Sequence, residues 1–104
     1  MIATGQIPAD VVGEEERVMA IRDLNPVAPQ HILLIPKSHV ASLADLDDLT
    51  VVADLASLAR QLATGPDFEG GWRLVSNVGP DGGQTVPHLH LHLLGGRRFS
   101  WPPG

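Results

Sequence analysis

The 104-residue chain contains no cysteine. That absence removes disulfide staples, thiolate nucleophiles and cysteine-based zinc sites together. Tyrosine is also missing, and the aromatics come to two Trp and two Phe, so aliphatic side chains must pack the core. Lysine occurs once, as Lys37, in a chain of net charge −5. Nothing here supplies the continuous basic surface that sequence-independent nucleic-acid binding requires, although a single small anion can still be held locally. Long apolar runs are lacking too. The longest, ILLIP from Ile32, falls far short of the roughly 20 residues of a membrane-spanning helix. The first residues, MIATGQIPADVV, have neither a basic leader nor a long apolar run. The reading is a soluble, cytoplasmic protein without membrane or nucleic-acid partners.

What is present fits a single domain over residues 1–104, long enough for one core and too short for two. Val11 and Val12, the polar turn Gly13 to Glu16 and the run Arg17 to Leu24 predict an antiparallel hairpin. NPVAP breaks it, and HILLIP, His31 to Pro36, predicts a buried strand closed by proline. In DLDDLTVVADLASLARQLATGP, Leu46, Leu49, Val52, Leu55, Leu58, Ala59 and Leu62 recur at helical spacing and form one apolar stripe. Asp47 or Asp48 can cap that helix, and Gly65 with Pro66 marks its end. GGWRLVSNV, Gly71 to Val78, predicts another strand, and the glycine-rich turn GPDGGQT leads into HLHLHLL. Several strands on short connections around one helix imply an α+β fold: an antiparallel sheet of about five strands with the helix across one face.

HLHLHLL holds three of the five histidines, His88, His90 and His92. On a strand, residues two apart point the same way, so the imidazoles would line one face while Leu89, Leu91 and Leu93 bury on the other. The first and third Cα atoms would then stand about 13 Å apart, too far for all three rings to grip one ion easily. Two of them could hold zinc, with His31 or Asp81 completing the site, or the row could be structural. A third reading is catalysis on phosphorus. Near neutral pH imidazole can be a neutral nucleophile or a cationic donor, so His90 could attack, His92 could donate to phosphoryl oxygens and His88 could orient its neighbours. Gly79, Gly82 and Gly83 allow positive φ, which lets successive N–H groups converge on an anion, and Thr85 adds a hydroxyl. The same glycines would also suit an ordinary hairpin loop.

The residues His88 to Leu94 match the signature His-φ-His-φ-His-φ-φ, φ being apolar, and the chain resembles the histidine triad (HIT) nucleotide-binding hydrolases. IPADVVGEEERVMAIRDLNPVAPQHILLIPKSH is similar to the amino-terminal half of that family, SNVGPDGGQTVPHLHLHLLGGR to the other half, and the tail WPPG to its Hint branch. The resemblance implies a homodimer with the sheet continued across both subunits. It implies hydrolysis of purine nucleoside phosphoramidates, yielding a nucleoside monophosphate and an amine, with no cofactor and no metal. A nucleotide-binding regulatory module with incidental catalysis is the alternative.

By the same resemblance His90 is the nucleophile, His92 contacts the α-phosphate, and His88 with His31 forms a relay for the leaving group. Asn77, Gly83, Thr85 and Val86 lie around the phosphate, Asp23 takes the ribose hydroxyls, and Trp101 reaches the neighbouring subunit's substrate site. His39 is read as structural and Lys37 as a surface charge. The several residues that usually precede the equivalent of Ile2 are lacking, and Ile21 stands where an aromatic is common, so base contacts are expected to rest on Ile2, Ile21 and Leu24. Histidine at the third triad position favours water as acceptor. LGGR after the triad speaks against the dinucleoside polyphosphate hydrolase branch.

Overall fold

The computed structural model describes residues 10–103, so Ile2 lies outside the described residues. Five strands form one antiparallel sheet: β1 (Val11–Glu14), β2 (Val18–Arg22), β3 (Gln30–Pro36), β4 (Trp72–Ser76) and β5 (Leu91–Gly95), in the order β1-β2-β3-β5-β4. A helix, α1 (Thr50–Leu62), runs between β3 and β4 in the chain. The β1–β2 hairpin follows from the turn residues between two apolar segments, and its register slips between Val11 and Gly13, where one residue bulges.

One face of the sheet carries Val18, Ala20, Ile32, Leu34, Leu91 and Leu93, which meet Leu55, Leu58 and Ala59 of α1 in a single core. Period-2 alternation turns His31, Leu33, His92 and Leu94 to the opposite face, which no helix covers among the described residues. That division positions the site.

The helix differs from the sequence reading at both ends. It begins at Thr50, so Leu46 and Leu49 precede it; Leu46 still packs against the core, whereas Leu49 is exposed. Asp48 supplies the expected acid at the start by accepting from the Thr50 backbone N–H at 3.0 Å. At the other end Ala63 N–H closes the last turn on Ala59 O, and Gly65 stays at φ −75, so no left-handed glycine is used. Gly65 and Pro66 instead open a short 3-10 turn that buries Phe68.

The fifth strand is shorter than the alternation suggested. It starts at Leu91, leaving His88 and His90 on an extended approach segment. Leu89 keeps the alternation, buried in the core and donating its N–H to Val40 O at 2.6 Å. Among the described residues no helix is long and apolar enough to cross a membrane.

Candidate active site

Every triad histidine has a ring nitrogen whose proton is dictated by a neighbour. His90 Nδ1 lies 2.8 Å from the His88 carbonyl oxygen, which can only accept, so Nδ1 carries the proton and Nε2 is a free lone pair. His92 is set through His31. The Val27 N–H donates to His31 Nδ1 at 3.1 Å, which leaves the proton of the neutral ring on Nε2; that Nε2–H donates to His92 Nδ1 at 2.9 Å. His92 Nε2 therefore bears a hydrogen. The His90 and His92 rings stand 5.0 Å apart, centre to centre, so a lone pair and an N–H donor sit side by side.

His88 follows the same logic. Its Nε2–H donates to Pro36 O at 3.3 Å, so Nδ1 accepts, and it accepts from His39 Nδ1–H at 2.9 Å. The expected pairing of His88 with His31 is not the one formed. His31 sits on β3 opposite Leu94 and reaches diagonally to His92, whereas His88, before the strand, meets the loop after Pro36. His39, read as structural, is thereby joined to the triad. Its signal was the IPKSH segment, in which the strand-ending Pro36 and His39 together clasp one imidazole.

Burial holds all three of His31, His88 and His92 below the usual imidazole range, because a charged ring there loses solvation. Asp23 opposes this at His31 and, as the smallest effect, at His92; at His92 the neighbouring rings of His90 and His31 add to the lowering. At His88 the bond to Pro36 O opposes burial, and His39 and His90 reinforce it.

Asp23 does two jobs. One oxygen accepts from Asn25 N–H at 2.7 Å and forms the turn before Pro26, while the other lies 3.4 Å from His31 Nε2. A fifth of its side chain remains exposed. Of the aliphatic side chains expected at a base, Ile21 is buried and Leu24 is exposed. Trp101 stands 82% exposed.

The glycine-rich turn differs in detail from the anion nest anticipated. Gly79 and Gly83 take positive φ and Gly82 does not; a Cβ at Gly82 would instead overlap the Val78 carbonyl. The N–H groups of Gly83 and Gln84 close on Pro80 O and Gly79 O, and Gly79 N–H donates to the Gln84 side chain. These three donors shape the turn and are not free for an anion. Asn77 Nδ2 donates to Gly82 O at 2.7 Å, while Thr85 and Val86 are exposed beyond it.

An α+β sheet whose helix-free face carries histidines with tautomers set by backbone groups is the architecture to be placed. The comparisons place it. The HIT domain family model matches residues 4–99, and the chain belongs to the HIT family. It is 46% identical over 101 residues to an uncharacterized HIT-like protein of Synechococcus elongatus, covering 95% of this chain and 89% of that one. A maize protein named 14 kDa zinc-binding protein is 46% identical over 103 residues, covering 95% and 80%. Among solved structures, a HIT family hydrolase from Legionella pneumophila superposes with a TM-score of 0.93 at 49% identity, covering 99% of this chain and 95% of that one. A histidine triad protein from Clostridium difficile gives 0.90 at 44%, covering 95% and 89%.

The sequence leaves zinc as one reading of the histidine row. Asp23, His31 and His92 bring three ligand-type atoms within 4.8 Å of one another, and Asp81 is not among them. The set does not fit an ion as arranged. The two ring nitrogens lie 2.9 Å apart, closer than the about 3.3 Å between two ligands of a tetrahedral zinc. An ion on His31 Nε2 would also force a proton onto Nδ1, directly against the Val27 N–H.

Proposed function

We propose that this HIT protein is a purine nucleoside phosphoramidate hydrolase acting through a nucleotidyl-histidine intermediate. The observation that carries the reading is the opposed tautomers of His90 and His92. The lone pair of His90 Nε2 attacks phosphorus, the P–N bond to the leaving group breaks, and the departing nitrogen leaves as the amine on taking up a proton. His92 Nε2–H donates to a phosphoryl oxygen as negative charge builds there. Water then cleaves the phosphorus–His90 bond and releases the nucleoside monophosphate. Neutral rings suit both roles, since a protonated His90 could not attack.

Supporting parts follow. Asp23, with lone pairs beyond those given to Asn25 and His31, takes the ribose hydroxyls. Asn77, Gly83, Thr85 and Val86 border the phosphate, and Leu24 with Ile21 and Ile2 meets the base. The His39–His88 pair holds the carbonyl that orients His90 and relays protons to the leaving group. A homodimer through β4 completes the assembly: that edge is regular and presents Trp72 and Leu74 to solvent, whereas the other edge, β1, carries a bulge and Glu14.

The test uses adenosine 5′-phosphoramidate. Native protein quenched without acid is expected to show a nucleotidyl adduct on His90 by peptide mass spectrometry. His90→Ala is expected to lose about ten-thousandfold or more in kcat while still binding AMP. Turnover unchanged in that variant would end the proposal.

A further inference from the structure

The segment Leu94-Gly-Gly-Arg97 follows the triad, and the catalytic reading leaves it without work. Its geometry points to a use. Gly96 adopts φ +88, and a Cβ there would come within 2.8 Å of Pro29 Cβ, so this glycine lets the chain press against the loop between β2 and β3. The turn sends Arg97 back across the same loop, where its Nη2 donates to Val27 O at 3.2 Å. Two further contacts hold the guanidinium in place: Nη1 donates to Arg98 O at 3.1 Å, and the Phe99 ring lies 4.2 Å beneath it. Among the described residues Arg97, like Arg60, Arg73 and Arg98, has no carboxylate partner within 4.0 Å, so its guanidinium is held by these carbonyl and ring contacts alone.

Val27 is the residue whose N–H fixes the proton of His31. We infer that Arg97 is a positioning residue that sets the proton arrangement of His31 and His92, acting through Val27. The Arg97 bond holds the carbonyl side of Val27; the Asp23–Asn25 turn anchors the loop at its other end; the Val27 N–H is left aimed at His31 Nδ1. Without Arg97 the loop loses that anchor, and His31 can place its proton on Nδ1. Its Nε2 then accepts from His92 Nδ1–H, and His92 Nε2 turns from donor to lone pair. The phosphoryl oxygen loses a hydrogen bond, although no residue touching it has changed.

The rate consequence rests on the hydrolase reading, whereas the proton positions do not. The experiment therefore reads both, with 15N-histidine NMR reporting the tautomer of each ring without substrate and steady-state kinetics on adenosine 5′-phosphoramidate. Wild type is expected to show Nε2–H at both His31 and His92. In Arg97→Met a substantial share of His31 moves to Nδ1–H, and kcat falls by about tenfold, a part of the effect of deleting one transition-state donor. KM changes by less than about threefold, and Arg97→Lys, which keeps a donor for Val27 O, restores the wild-type pattern. Arg98→Met is the control: Arg98 lines the same 760 Å³ cavity as Arg97 and makes no side-chain bond to the loop, so both rings stay as in wild type. Unchanged tautomers in Arg97→Met would overturn the inference, as would Arg98→Met moving the rings equally, since charge alone would then be responsible. Shifted tautomers with no turnover in any variant would uphold Arg97 and remove the hydrolase reading.

Discussion

Lowering the pH from 7.5 to 5.5 should destabilise the fold through three of its histidines. His31, His88 and His92 have folded-state pKa values below the usual one, chiefly through burial, whereas an unfolded histidine titrates at about 6.5. Between those values the unfolded chain binds protons that the native protein refuses. Stability is therefore full above about pH 6.5 and falls as the pH drops below it, until the native rings protonate in turn. A second proton on the His31–His92 pair would set N–H against N–H at 2.9 Å, and one on His31 Nδ1 would do the same against Val27. One pH unit below the unfolded value, each wholly refusing ring contributes at most about 1.4 kcal/mol, giving a ceiling of about 4 kcal/mol for three.

His92 is half-buried and screened in part, so the expected loss is nearer about 3 kcal/mol. Urea denaturation at both pH values, with protein and salt concentrations fixed, measures it. Asp48 does not confuse the window. Its carboxyl is held below the usual range by the Thr50 hydroxyl and backbone first and by Arg17 after them, so its effect comes only below about pH 4. A urea midpoint at pH 5.5 equal to or above that at pH 7.5 would refute the claim that these rings are held neutral.

Two further perturbations have clear outcomes. Leu34→Ala removes a fully buried side chain from the centre of the sheet, and chemical denaturation should show a loss of about 2–5 kcal/mol. Gly82→Ala forces a methyl group into the Val78 carbonyl and displaces the turn before the triad, so calorimetry should find AMP bound about tenfold more weakly, or about 1.4 kcal/mol.

Much of the fold could be read from local pattern because local pattern is what produces it. The hairpin and the leucine stripe of α1 bury residues by their own periodicity, HILLIP is a short apolar run buried on both faces, and burial then stacks the helix on the sheet. The ends were harder. Leu49 fits the stripe by spacing yet is exposed, since the chain turns into helix only at Thr50, where Asp48 can accept the free N–H. The start of β5 was lost for a similar reason: alternation continues through Leu89, but pairing with β3 and β4 begins at Leu91, and only a partner strand makes a ladder.

In the site, the sequence by itself determined which side chains are chemically capable. HLHLHLL places imidazoles on one side of an extended segment and leucines on the other, and the lack of cysteine excludes a thiolate beside them. Tertiary structure decided what each ring can do. A histidine's role depends on which nitrogen holds its proton, and that is set by whatever faces the other nitrogen. Here those neighbours are Val27 N–H, the Pro36 and His88 carbonyls and the ring of His39, and all but the His88 carbonyl lie dozens of residues from the triad. Backbone groups carry no trace of such a role in the residue alphabet, so only the folded chain, by bringing them within 3.3 Å, could divide one row of identical side chains into a free lone pair, a free N–H donor and a ring engaged at both nitrogens.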